Sequence, residues 1–377
     1  MLIFFTAGES HGRGVFAFLD GIPAGIPIDR ETIDEDLSRR QKGYGRGGRM
    51  AIEKDMVDVL SGLRGGQTLG SPVILAVWNR DWENWEQFMD PWGILPGREL
   101  FTPRPGHADL AGAARFHHRD LRNVLERASA RETAARVAAG GFLRSFLSQL
   151  GIKVYSWVTR IADTRYAGDF HRQKREASSV FCPDTLITEE MERAIDHAQS
   201  RGDTVGGEFR VVVDGLPAGI GSYTQWDQRL DTILGAHLFS IPGIKAVQVG
   251  RGIESAGLFG SDMHDPILPT KPKSRGSNNA GGLEGGVSNG QSIELTCTMK
   301  PIPTLKKGLP TVDLRDGSPV SAEYERSDVC AVPPASIVGE AMAIVSITQA
   351  VLAGFTQPHM ESLREAFERH RLFWETL

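Results

Sequence analysis

Cysteine is scarce in this 377-residue chain: Cys182, Cys297 and Cys330 stand far apart and form no CxxC pair. That spacing excludes a disulfide framework and a zinc knuckle, and it fits a reducing cytoplasm. A strong excess of one charge is missing as well. The net charge of −5 excludes a nucleic-acid partner held by bulk electrostatics, so any anion site must be a local basic patch. The N-terminal MLIFFTAGESHG has no basic leader and only a short apolar run, so it reads as a buried strand, not a signal peptide. One long apolar run exists, residues 335–355. Glu340 and Gln349 interrupt it and no second span accompanies it, so it reads as a core helix and no membrane partner is expected. His117-His118 are adjacent rather than at ligand spacing, and no metal site is expected.

Glycine, by contrast, is abundant: 43 residues, where an average chain has roughly 7%. Such enrichment points to tight turns or close backbone approaches to a ligand. Hydrophobic residues at 40% and charged residues at 24% allow a substantial core. No stretch reads as a flexible linker, which implies one compact α+β domain over residues 1–377.

The chain repeats itself. DGIPAGI at 20–26 recurs as DGLPAGI at 214–220, each after a strand-like run (15–19 and 209–213) and before a polar, helical stretch (31–40 and 225–238). GLRGGQTLG at 62–70 matches GLEGGVSNG at 282–290, each leading into a β-rich run, 71–78 and 291–299. The same order of signals predicts two similar layers related by a pseudo-twofold, with copies at about 9–78 and 206–299. Between them, residues 120–150 read as helix, with Leu121, Val124, Leu125 and Ala128 on one apolar stripe. Arg127 and Arg131, four apart, are expected on one helical face, and Gly140-Gly141 is expected to end or weaken the helix. A charged, exposed helical tail is expected over about 356–377. The Trp-, Pro- and Asp-rich segment 79–104 is a long loop of the kind that carries function.

Chemistry-bearing residues cluster in a few segments. SRRQKGYGRGGR, 38–49, carries Arg39, Arg40, Lys42, Arg46 and Arg49 on a glycine-rich loop, suited to a small polyanion. No GKS or GKT follows, and no strand precedes GYGRGG, so neither a Walker loop nor a dinucleotide fingerprint is present. GESHG exposes Ser10 and His11 at a strand end. RPGHAD bends at Pro105-Gly106, where Arg104 can hold an anion and His107 can donate a proton. ERASARETAARVA offers Arg127, Ser129 and Arg131, though read alone it favours a salt-bridged helix using Glu126 and Glu132. KPIPT, 300–304, supplies one cation and one hydroxyl for a phosphate. Asp328 of ERSDVC stands just before the apolar helix, as a base or as a cap.

Taken in order over nearly the whole chain, GESHG, RRQKGYGRGGRM, SGLRGGQTLGSP, RPGHADLAG, LRNVLERASARETAARVA, GGLEGGVSNG, KPIPT and ERSDVCAVPP resemble the chorismate synthase family. The resemblance implies two antiparallel sheets around a helical layer, usually a homotetramer. It also implies a 1,4-anti-elimination of phosphate from 5-enolpyruvylshikimate-3-phosphate (EPSP) to give chorismate, with reduced FMN and no net redox change. On that pattern Arg40, Arg46 and Arg49, with Arg131, would meet the anionic substrate or NADPH. His107 would protonate the departing phosphate and His11 would adjust the flavin's protonation. Asp328, with Ser10, would accept a proton from flavin N5. Arg127, Ala128, Ser129, Gly285, Lys300, Pro301, Ile302, Pro303, Thr304 and Arg326 match positions that line FMN. Pro242 and Gly243 stand where many members have Asn-Ala at a backbone contact to FMN. No reductase domain is visible, which implies an external source of reduced flavin.

Overall fold

The structure is a computed structural model that describes residues 1–47, 54–93, 96–270, 272–322 and 327–377. Arg49 and Arg326 lie outside them. In the first half, β1 (Ile3–Gly8), β2 (Gly14–Asp20), α1 (Arg30–Gln41), β3 (Asp58–Ser61), a hairpin of β4 (Leu63–Arg64) and β5 (Gln67–Thr68), and β6 (Val73–Trp78) follow one another. Next come α2 (Asp109–Phe116), α3 (Arg122–Ala128) and α4 (Thr133–Gln149). The second half runs β7 (Lys153–Ile161), β8 (Thr164–Arg165), α5 (Arg172–Ala177), α6 (Thr185–Ser200), β9 (Gly207–Asp214), α7 (Leu230–Phe239) and β10 (Ile244–Val249). It continues with α8 (Gly260–Met263), the hairpin β11 (Leu283–Glu284) and β12 (Val287–Ser288), β13 (Ile293–Met299), and the ribbon β14 (Pro310–Val312) and β15 (Pro319–Ser321). Helices α9 (Val332–Gly354) and α10 (Met360–Thr376) close the chain.

Two antiparallel sheets result, in the orders β1-β2-β6-β3 and β8-β7-β9-β13-β10. Apart from β8 the orders correspond strand for strand, so one element plan is used twice. The repeated turn chemistry shows why. In the first copy Thr68 Oγ1 donates to the Pro23 carbonyl and accepts from Ile26 N–H. In the second, Ser288 Oγ donates to the Pro217 carbonyl and accepts from Ile220 N–H. Each hairpin hydroxyl thus locks the proline turn after the central strand of its own sheet.

Alternation sets the faces. In β2, Val15, Ala17 and Leu19 point into the core while Phe16 and Phe18 are half-buried on the outer face. Helix α4 covers the inner face of the first sheet, α9 that of the second, and α4 packs on α9 between them, with α1 and α7 alongside. Helix α9 is the one helix among the described residues long and apolar enough to cross a membrane, but protein encloses it. Pro333-Pro334 fit its first turn, where N–H groups have no helical partner.

The glycine pair does not end α4. A Cβ on Gly140 would lie 2.4 Å from Ala341 Cβ, and one on Gly141 would lie 3.0 Å from Ile33 Cα. These glycines let α9 and α1 approach α4, so tertiary packing overrides their weak helix propensity. The tail is likewise docked: Met360, Leu363 and Phe367 are buried, and His370 Nε2 lies 2.7 Å from the Ala218 carbonyl. Met360 N–H donates to Ala24. The tail therefore ties the two proline turns together.

Glu340, which interrupts the apolar run, joins the layers. Arg39 of α1, Arg144 of α4 and Arg175 of α5 reach its carboxylate at 3.0, 2.9 and 2.5 Å. Burial alone would push this carboxyl up, but the three arginines hold it well below the ordinary range.

Candidate active site

The turn after β1 is compact because Gly8, at φ +100°, has the Gly14 carbonyl 2.3 Å from where a Cβ would sit. Asn79 Nδ2 donates to the carbonyls of Glu9, Ser10 and Gly12, at 3.2, 3.2 and 2.7 Å. The strand end thereby presents Ser10 and His11 to a cavity of about 450 Å³ at the edge of the helical layer. Ser10 Oγ donates to Ser129 Oγ at 3.0 Å. His11 Nδ1 lies 2.8 Å from Glu126 Oε1, and Trp85 stacks on its ring. Burial would raise the Glu126 carboxyl, but hydrogen bonds and charge from His11 hold it below its ordinary value.

His107 faces the same cavity from the turn at Gly106. Its Nδ1 lies 2.5 Å from Asp109 Oδ1. Arg104 Nε donates to Asp109 Oδ2 at 2.9 Å. Burial opposes ionisation of Asp109, yet His107 and Arg104 hold it far below the carboxylate range. KPIPT docks on this turn: Lys300 Nζ donates to the Gly106 carbonyl, and Arg104 donates to Thr304 Oγ1 at 3.2 Å. Lys300 N–H donates to the Gly243 carbonyl at 2.9 Å, which brings Pro242-Gly243 to the wall. Burial, and Lys245 nearby, push the Lys300 ammonium down.

Three guanidinium groups enter the cavity. Arg131 binds Asp55 Oδ1 at 2.5 Å and Asn79 Oδ1 at 2.7 Å. Arg40 is 4% exposed and reaches Asp55 only at 3.8 Å, and its Nε has no hydrogen-bond partner among the described residues. Burial, reinforced by Arg131 and Arg46, pushes it down to about 10 against the pull of Asp55. Arg46 binds Asp328 Oδ2 at 2.8 Å, and its Nε is also buried without a partner among the described residues. The buried Nε groups of Arg40 and Arg46 create a demand for an acceptor, which an anion would meet.

Most sequence-predicted site residues therefore meet. Ser10, His11, Arg40, Arg46, His107, Ala128, Ser129, Arg131, Pro242, Gly243, all of Lys300 to Thr304, and Asp328 line the one cavity. Arg127 and Arg131 do not share a face, because the chain leaves helical geometry at Ser129 (ψ 143°). Arg127 turns outward to the Thr6 and Gly8 carbonyls, 2.9 and 3.1 Å away. Gly285 sits in the β11–β12 turn and does not line the cavity. Arg39 and Arg40 belong to the last turn of α1 rather than to a loop, and only Arg40 enters. Asp55, Asn79 and Trp85 were not singled out by any motif; Asn79 and Trp85 open the loop that composition marked as functional.

The chain resembles known proteins over its whole length. The sequence profile of the family described as chorismate synthase matches residues 2–352. The chorismate synthases of Desulforudis audaxviator and Moorella thermoacetica are each 47% identical to the chain. The first alignment covers 100% of this chain and 98% of the relative, the second 100% of both. A crystal structure of a chorismate synthase superposes with a TM-score of 0.80 at 36% identity, covering 100% of this chain and 99% of that one. The antiparallel sheets about a helical layer, the order of the motifs and the full-length matches together place the chain in the chorismate synthase family, carbon–oxygen lyases acting on phosphates.

Proposed function

We propose that the chain converts EPSP to chorismate by 1,4-anti-elimination, in a cavity that also takes reduced FMN. The observation that carries this reading is the convergence of Arg40, Arg46 and Arg131 with two carboxylate-paired histidines on one cavity. EPSP carries two carboxylates and a phosphate, and clustered buried guanidinium groups suit such a ligand. In the elimination the C–O bond to phosphate and the C6–H bond break, and a new C=C bond forms. His107 gives a proton to the departing phosphate while Asp109 stabilises its charged ring. Asp328, with Ser10, takes up the proton released from the ring, and His11 manages protonation at the cofactor face.

The wall fits a flavin. Leu125, Ala128, Ile241, Met299, Ile302 and Val338 form apolar surface beside the hydroxyls of Ser129 and Thr304 and the ammonium of Lys300. Those residues, with Pro242-Gly243, would hold the cofactor. Its chemistry would be to lend electron density as phosphate leaves and regain it as hydrogen departs. Reduced flavin would come from an external reductant, and NADPH would use the same arginines through its phosphate. Ile3, Phe5 and Trp78 are exposed on the outer face of the first sheet, which supports assembly with further copies into a homotetramer.

One anaerobic assay tests the reaction: EPSP with chemically reduced FMN and no NADPH. Chorismate and stoichiometric phosphate are expected. Turnover only with added NADPH would instead favour a flavin oxidoreductase, and no turnover would leave an anion-binding protein.

A further inference from the structure

His11 sits in a cage more elaborate than a proton donor at a strand end requires. One carboxylate, Glu126, spans two groups of the residue: Oε2 accepts the His11 backbone N–H at 2.8 Å, and Oε1 lies 2.8 Å from ring Nδ1. The Ser10 N–H donates to the Glu126 carbonyl at 2.9 Å, so the turn is sewn to α3 by backbone as well. The indole of Trp85 covers the ring at a centroid distance of 3.9 Å and an interplanar angle of 25°. The guanidinium groups of Arg98 and Arg122 lie over the indole, 4.7 and 5.1 Å from its centre. Arg122 also reaches Glu126 Oε1 at 3.5 Å.

The chemistry of these partners fixes the ring. An ionised carboxylate only accepts hydrogen bonds, so the Nδ1 beside it carries the hydrogen. In the neutral imidazole the lone pair is then on Nε2. Buried at 4% exposure, Glu126 would be costly as an anion by itself, and Arg122 offsets that cost. The carboxylate therefore orients the ring without accepting its proton, the division of labour seen in histidine–carboxylate pairs of hydrolases. His107 is arranged differently. Arg104 lies within 3.1 Å of its Nδ1 and 3.4 Å of its Nε2, so a cation as well as a carboxylate addresses that ring.

We propose that Glu126 is the positioning residue of His11: it fixes the Nδ1–H tautomer, so that Nε2 is the nitrogen that exchanges protons in the cavity, while Trp85 holds the ring plane. The effect on turnover rests on the lyase reading above; the tautomer does not.

The test is long-range ¹H–¹⁵N NMR on the full-length protein labelled at histidine, without added cofactor, with His11 assigned by the signal lost in His11→Asn. In the wild type, the neutral ring should show a protonated Nδ1 and an unprotonated Nε2. In Glu126→Ala the preference should move toward Nε2–H, and kcat with EPSP should fall about 10²-fold with little change in KM. An unprotonated Nδ1 in the wild type overturns the proposal whether or not the variant folds. An unchanged tautomer, or an unchanged kcat, in folded Glu126→Ala overturns it as well. A wild type that shows the Nδ1–H tautomer yet forms no chorismate would sink the lyase reading and leave the positioning role standing.

Discussion

Arg46 and Asp328 form an ion pair of 2.8 Å across the cavity wall, and the Gly47 N–H donates to the other Asp328 oxygen at 2.7 Å. Both oxygens of the proposed proton acceptor are thus engaged by one loop. An anion entering the arginine cluster competes for Arg46, which would leave Asp328 free to accept. Asp328→Asn keeps an acceptor for the Gly47 N–H but cannot take up a proton. Hydrogen removal should slow by about 10²–10⁴-fold, read by single-turnover kinetics with EPSP. Near-normal turnover would remove Asp328 from the mechanism.

His107 is held by Asp109 and Arg104 rather than by the apolar wall of the cavity. His107→Ala should therefore slow phosphate release while leaving FMN affinity nearly intact. Stopped-flow phosphate detection and flavin titration separate the two. Loss of flavin binding would show the residue to be structural.

His237 gives a stability prediction with a definite sign. Its Nδ1 lies 2.7 Å from Ser346 Oγ, whose hydroxyl already donates to the Met342 carbonyl. Burial, with Arg136 nearby, pushes the imidazole from 6.5 down to about 4. The unfolded chain takes up this proton below about 6.5 while the folded chain refuses it until about 4, so stability falls as pH drops through that window. His237→Gln should flatten that part of the fall, measured as melting temperature across the same window. An unchanged acid slope would assign the loss to other groups.

Gly140 sets two effects against each other. By helix propensity alone, Gly140→Ala should stabilise α4 by about 1 kcal/mol. The new methyl would lie 2.4 Å from Ala341 Cβ and 2.5 Å from Ala341 Cα. Backbone cannot yield cheaply, so a net loss of about 1–3 kcal/mol is expected in urea unfolding. A gain in stability would show that the helices are not in close contact.

Much of the site was legible because its residues sit in short, glycine-punctuated turns. GESHG, RPGHAD and KPIPT each carry their own bend, so Ser10, His11, His107 and Lys300 arrive at the cavity from local geometry. The repeat was legible for the same reason: its proline turns and hairpins are local signals. Neighbouring arginines were not separable this way. Arg39 and Arg40 are adjacent in α1, and successive helical residues point about 100° apart. One therefore meets Glu340 and the other the cavity.

By itself the sequence determined the α+β plan used twice, the apolar helix at its centre, and the turns that bear the histidines. Only the tertiary structure decided which charges face one another. Glu126 comes to His11 from 115 positions away, Asp55 to Arg131 from 76 and Asp328 to Gly47 from 281. Such pairings depend on how sheets and helices stack, and a carboxylate in the sequence carries no mark of the cation or imidazole it will meet. The close approach of α4, α1 and α9 at Gly140-Gly141 belongs to the same class. A missing side chain looks like a helix breaker until the neighbouring helix that fills its place is known.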